Sequence, residues 1–119
     1  MSEKKKKPED MLPLTPAVFH ILLALADGEK HGYAIMQEVE TISDGTVNMG
    51  SGTLYGSIKR MLTADLIEET EDRPDPDMDH QQRRYYQLTD FGERVLQAEA
   101  FRLEAVVRAA RSKKILGGT

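Results

Sequence analysis

The chain has 119 residues, and its 20 acidic against 16 basic residues give a formal net charge of −4. This length predicts a single domain with a modest core, and the absence of cysteine excludes disulfides and thiolate metal sites. No apolar run approaches the roughly 20 residues needed to span a bilayer, and no apolar segment of a secretory signal follows the N-terminal lysines. These features are compatible with a cytoplasmic protein.

Residues 1–12 are polar, charged and without periodicity, which predicts a disordered N-terminal tail. The tail contains four consecutive lysines, from Lys4 to Lys7. The plainer interpretation is a solvated arm that aids solubility. The alternative is a basic arm that follows nucleic-acid phosphates without sequence preference.

Two helices are predicted next. Thr15-Pro16 suits the start of the first, because threonine is a good N-cap and proline is favoured at the first helical position. Asp27-Gly28 should end it. The second helix should follow His31-Gly32-Tyr33 and end at Ser43-Asp44-Gly45. Here the glycine is expected to allow close helix approach, and the tyrosine to fill the gap between the first and third helices.

A third helix, predicted over residues 51–64, has two contrasting faces. Leu54 and Ile58 begin an apolar stripe with helical spacing, which should face the core. The opposite face is small, polar and basic, and no acidic residue occurs from Gly45 to Ala64. Such a face can approach DNA closely. The residues predicted to bind DNA on this helix are Ser51, Gly52, Thr53, Tyr55, Lys59 and Arg60. A half-buried packing role for Tyr55 is an almost equally weighted alternative.

Two strands, over residues 66–71 and 83–88, are predicted after the third helix, joined by a polar segment. Three helices followed by a hairpin is the order of a winged helix-turn-helix domain. The hairpin tip is acidic, so the predicted DNA contacts of the wing come from Arg83 and Arg84 instead.

The aspartates from Asp75 to Asp79 alternate as in a calcium-binding loop. That loop needs glycine at its sixth position and glutamate at its twelfth, where this chain has His80 and Tyr86. A solvated hairpin tip without metal is therefore the favoured interpretation.

Thr89-Asp90 should cap a final helix that runs to about Lys114. Its apolar residues recur with helical spacing, and a helix this long has little left to pack on once the small domain is complete. We therefore predict that it dimerises with a second copy, although folding back on its own domain is the alternative. The predicted dimerisation residues are Leu96, Ala100, Leu103, Val107 and Ala110.

Several short motifs occur in a specific order. They are Leu14-Thr15-Pro16, His31-Gly32-Tyr33, Gly52-Thr53-Leu54-Tyr55, Leu66-Ile67, and Tyr85-Tyr86-Gln87-Leu88-Thr89 with Gly92. In this order they resemble the PadR family of bacterial transcriptional regulators, specifically its small members with a single C-terminal helix. The resemblance implies a homodimeric repressor that binds a pseudo-palindromic operator and responds to a small-molecule effector of unknown identity.

The expected fold is mainly α (α+β). It comprises the tail at 1–12, a winged-helix DNA-binding domain at 13–88 and a C-terminal dimerisation helix at 89–119. Asp65 stands where the family commonly has glycine, and aspartate can adopt the left-handed cap less readily. The absence of tryptophan gives no support to an aromatic drug-stacking pocket.

Two other function classes compete with this interpretation of the sequence. An enzyme is disfavoured because the three histidines fall in different predicted elements, with no nucleophile motif and no glycine-rich phosphate loop. No catalytic residue, metal or cofactor is predicted. The stronger rival is a winged-helix module that binds protein, which the acidic wing and negative net charge favour. Weak, salt-insensitive DNA affinity would distinguish this module from a DNA-binding regulator.

Overall fold

Four α-helices dominate the computed structural model, which describes residues 6–70, 73–74 and 82–117. The helices are α1 (Pro16–Ala24), α2 (Gly32–Ile42), α3 (Ser51–Thr63) and α4 (Asp90–Ser112). Among the residues described, no helix is both long enough and apolar enough to cross a membrane.

Five short strands occur within the described ranges: β1 (Lys30–His31), β2 (Ile67–Glu69), β3 (Arg73–Pro74), β4 (Gln82–Arg83) and β5 (Tyr85–Leu88). Strands β1, β5 and β2 form an antiparallel sheet with β5 in the middle. Strands β3 and β4 pair further along the same hairpin. Three helices followed by this hairpin form the predicted winged helix-turn-helix, with β1 as a third strand that the sequence pattern did not indicate.

Side chains cap the starts of three helices. The Thr15 hydroxyl accepts the Val18 N–H at 3.2 Å, and the Thr89 hydroxyl accepts the Gly92 N–H at 2.9 Å, as expected for N-cap threonines. At the start of α2, the Nδ1 atom of His31 accepts the Ala34 N–H at 3.2 Å. These caps fix where α1, α4 and α2 begin.

The core lies between α1, α2, α3, the sheet and the first half of α4. Leu54, Ile58 and Met61 of α3 are buried, which confirms the predicted inner stripe. On β5, Tyr86 is buried whereas Tyr85 is half-buried against the His31 ring, because neighbouring strand residues point to opposite faces.

Helix α3 ends in a left-handed turn at Asp65, whose φ is +63°. The Leu66 N–H then donates to the Met61 carbonyl at 2.9 Å, the bond that closes a Schellman cap. Aspartate therefore adopts here the conformation that glycine usually supplies, and the chain turns directly into β2.

The N-terminal segment differs from the predicted tail. Pro8–Met11 forms a 3-10 helix, and Met11 and Leu12 pack against the core. Leu14 adds two contacts, since its side chain also packs on the core and its N–H donates a hydrogen bond to the Glu99 carboxylate. These apolar side chains anchor the segment to the domain. The prediction of a disordered tail missed this because the apolar residues show no periodicity and the composition is polar. Lys4 and Lys5 lie outside the described residues.

Helix α4 divides into two halves. Its first half packs against the domain, and Val95 and Leu96 are buried there. Leu96, predicted to contact a second copy, therefore lies in the chain's own core, because the start of α4 returns over α1 and β5. From the middle of the helix onwards, Ala100 and Val107 are exposed and Leu103 and Ala110 are half-buried. The folded-back alternative thus applies to the first half of the helix.

Candidate nucleic-acid interface

The outer face of α3 is open to solvent and carries no acidic side chain. Ser51, Gly52 and Thr53 are exposed in its first turn, and Lys59 and Arg60 are exposed two turns later. The predicted residues of α3 are therefore all exposed, although Ser51, Gly52 and Thr53, being consecutive, project in different directions around the first turn. Because α3 packs on the core through its opposite side, a rigid helix presents this surface.

Arg60 lies back along its own helix. Its Nη2 atom donates to the Ser57 hydroxyl at 3.2 Å, and Nη1 lies 3.7 Å from the position that a Cβ on Gly56 would occupy. Because Ser57 is buried, its hydroxyl needs a hydrogen-bond partner within the protein, and Arg60 supplies one. The small residue at 56 thus leaves room for the guanidinium close to the α3 backbone.

The N-terminus of α3 differs from those of the other three α-helices of the described chain. Its N-cap is Gly50, and no side chain accepts a hydrogen bond from the first turn. The first amides of a helix have no partner within the helix, and together they carry a partial positive charge. No side chain therefore caps these amides of α3, which lie at the end of the recognition helix that contacts DNA bases in helix-turn-helix proteins.

Tyr55 is partly packed and partly exposed, as the packing alternative expected. Its side chain is 47% exposed on α3, while its hydroxyl lies against Gly32 at the start of α2. Tyr33, by contrast, is 49% exposed. The expectation that Tyr33 fills the space between α1 and α3 is therefore wrong, and it is Tyr55 that uses the room left by Gly32.

In the described part of the wing, the predicted Arg84 lies beside an acidic residue. Arg84 is exposed, and its Nη1 atom lies 3.5 Å from the Glu69 carboxylate. An exposed pair of this kind is worth at most about 1 kcal/mol, so a phosphate can replace it. The side chain of Arg83 and the acidic segment 75–81, including the rejected calcium loop, lie outside the described residues. Among the residues described, no group of metal-ligating side chains is found.

The sequence profile described as "Transcriptional regulator PadR-like family" matches residues 21–98, which include α2, α3, the wing and the first half of α4. The chain belongs to the PadR-like family. The predicted family and the winged-helix fold are thus confirmed. This is a family of transcriptional regulators, not of enzymes, in agreement with the function class expected from the sequence.

Solved PadR structures share this fold at low sequence identity. A PadR family transcription regulator from Clostridium difficile superposes with a TM-score of 0.68 and 20% identity, covering 82% of this chain and 97% of that one. Bacillus subtilis PadR in complex with operator DNA gives a TM-score of 0.62 and 21% identity, covering 72% of this chain and 46% of that one.

A curated relative is an uncharacterised 37.1 kDa protein of transposon TN4556 from Streptomyces fradiae. It is 35% identical over 80 residues, which are 67% of this chain but 21% of that protein. The PadR-like chain therefore corresponds to a small part of this relative.

Glu99 of this PadR-like chain is important for the fold, but the sequence pattern did not identify it. Glu99 is 1% exposed, and its carboxylate accepts bonds from Arg102 Nε at 2.6 Å, Arg102 Nη2 at 3.1 Å and the Leu14 N–H at 2.8 Å. The hydrogen bond from Arg102, aided by that from Leu14, lowers the pKa of Glu99 although burial opposes this. A signal was present, since Glu99 follows Val95 by one turn on the buried side of α4.

Proposed function

We propose that this protein is a sequence-specific DNA-binding transcriptional regulator that represses genes from a pseudo-palindromic operator, acting as a homodimer in the cytoplasm. The observation that carries the proposal is the outer face of α3, which is exposed, basic, free of acids and uncapped at its N-terminus. The operator complex of Bacillus subtilis PadR, a protein of the same fold, supports the choice of DNA as the partner.

In this proposal α3 enters the major groove with its N-terminal turn nearest the bases. Ser51, Gly52 and Thr53 line that turn, where the amides and hydroxyls can bind phosphate or base edges. Lys59 and Arg60 bind flanking phosphates, and Tyr55 contributes its phenol. Arg83 and Arg84 add contacts from the wing.

Dimerisation is assigned to the second half of α4. Leu103, Val107 and Ala110 continue one side of the helix beyond the point where the domain ends, and Ala100 lies beside them. Two copies joined there would present two α3 helices to two half-sites, which matches a palindromic operator. A small-molecule effector that releases the dimer from DNA remains part of the proposal through the family resemblance.

The proposal is tested by fluorescence anisotropy on the DNA upstream of the protein's own gene, against a scrambled duplex, at several salt concentrations. Tighter binding to the upstream duplex, with affinity falling steeply as salt rises, is the expected result. Equal, weak and salt-insensitive binding to both duplexes would overturn it and favour a module that binds protein.

Lys59→Ala tests the assigned face directly. Losing one phosphate contact should weaken binding to all duplexes and lower the slope of log affinity against log salt by about one unit. Lys113→Ala removes another exposed lysine, at the C-cap of α4, and should leave the slope unchanged. An unaltered slope in the correctly folded Lys59→Ala variant would remove Lys59 from the interface.

A further inference from the structure

Gly32 is the first residue of α2, and its backbone does not require glycine. Its φ lies outside the left-handed region, and the residue is buried. Glycine in a helix costs up to about 1 kcal/mol relative to alanine, since it loses more conformational freedom on folding. Something other than backbone conformation must therefore favour glycine here.

The side chain of Tyr55 leaves no room for a Cβ at position 32. A Cβ on Gly32 would lie against the Tyr55 hydroxyl, 2.7 Å from Cζ and 3.1 Å from Cε1 of the same ring. Contacts this short are not tolerated between carbon atoms. The end of the phenol thus occupies the space that any other residue at position 32 would fill.

The start of α2 cannot easily retreat from Tyr55. Lys30 and His31 pair with Tyr86 and Tyr85 of β5, and His31 also caps α2 through the Ala34 N–H. The ring of Tyr55, by contrast, is half exposed and can rotate into solvent. A side chain at position 32 should therefore displace the tyrosine and leave the backbone in place.

We propose that Gly32 is a positioning residue for DNA binding, because it seats the phenol of Tyr55 on the start of α2 and so fixes the orientation in which α3 presents this ring to DNA. The inference rests on the proposed function. A tyrosine held at its hydroxyl end has already lost rotamer freedom before DNA arrives, which reduces the entropy lost on binding. The contact also ties the DNA-facing side of α3 to the segment that pairs with the wing.

The test compares Gly32→Ala, Tyr55→Ala and the double variant in the full chain, with the upstream and scrambled duplexes as probes. Gly32→Ala should fold, with an unchanged circular dichroism spectrum, and bind the upstream duplex several-fold to about tenfold more weakly. In the Tyr55→Ala background the same change should have no further effect, because the residue through which it acts is absent. Gly117→Ala is the matched control, since no atom lies within 4 Å of a Cβ there.

An NMR measurement on the DNA-free protein separates the possible failures. Cross-relaxation between the Tyr55 ring protons and the Gly32 α-protons should be present in the wild type, and the Tyr55 ring signals should shift in Gly32→Ala. If the contact is present but the wild type shows no preference for its upstream duplex, the proposed function fails and the inference fails with it. If the wild type binds specifically, then wild-type affinity in Gly32→Ala, or equal losses in both backgrounds, overturns the positioning role alone.

Discussion

At the scale of single residues, Glu99 joins two parts of the chain that are distant in sequence. Its buried carboxylate accepts a hydrogen bond from the Leu14 N–H, in the segment before α1, and its charge is neutralised by Arg102. A charge can be buried in this way because both oxygens accept hydrogen bonds from the three donors. The N-terminal segment therefore depends on α4 for its position.

Glu99→Ala should lower the free energy of unfolding by about 1–3 kcal/mol, because it leaves the Leu14 N–H without its acceptor. Glu99→Gln keeps an acceptor and should cost less. The folded-state pKa of Glu99 is lowered, so its contribution is complete above the unfolded value, about 4.3, and is lost as the pH falls through the folded value.

Urea unfolding at a series of pH values checks both effects for Glu99. The stability difference between the wild type and Glu99→Gln should shrink as the pH falls below about 4, since the wild-type carboxyl then takes up a proton. A difference that stays constant over this range would show that the carboxylate charge does not stabilise the fold.

At the scale of elements, the start of α4 lies very close to the backbone that leads into β2. Among the glycines of the described residues, Gly92 has the closest backbone neighbour, Leu66. A Cβ on Gly92 would lie against the Leu66 carbonyl oxygen and 2.8 Å from its carbon. The Thr89 hydroxyl donates to the Asp65 carbonyl at 2.6 Å and accepts the Gly92 N–H. The cap of α4 thereby also closes the base of the wing.

Gly92→Ala should lower the free energy of unfolding by about 1–3 kcal/mol, because a backbone must move to admit the methyl group. Differential scanning calorimetry should show a lower Tm, by roughly 4 °C for each kcal/mol. Gly52→Ala, an exposed helical glycine with no atom within 4 Å of a Cβ, should instead keep or raise the Tm. A wild-type Tm for Gly92→Ala would mean that α4 and β2 are less closely packed than described.

The elements that could be predicted from sequence are those with local signals. The α3 stripe and the caps at Thr15 and Thr89 follow from residues within one or two turns of each other. Strand β1 could not be predicted, because two residues are too few to show alternation and its pairing with β5 spans the domain. The Gly32–Tyr55 and Leu14–Glu99 contacts are likewise set by tertiary packing, and the sequence showed the residues without their partners.

At the scale of the whole molecule, α4 extends beyond what its own chain can cover. The radius of gyration is 16.4 Å, whereas a compact domain of this length should have about 13.5 Å. Val106 and Val107 are 54% and 44% exposed in the second half of the helix. Side chains of this kind on one side of a protruding helix gain roughly 25 cal/mol for each Å² that a second copy covers.

Val107→Glu should therefore convert a dimer to a monomer, because the interface would have to bury an unpaired carboxylate. Sedimentation equilibrium should give twice the chain mass of 13.4 kDa for the wild type and the single mass for the variant. Ala105→Glu introduces the same charge on the opposite side of α4 and should remain dimeric. Dissociation by both variants would indicate a general effect of charge, and a monomeric wild type would contradict the dimer itself. Because an operator with two half-sites needs two α3 helices, the monomeric Val107→Glu variant should also lose its preference for the upstream duplex while retaining weak, salt-dependent binding.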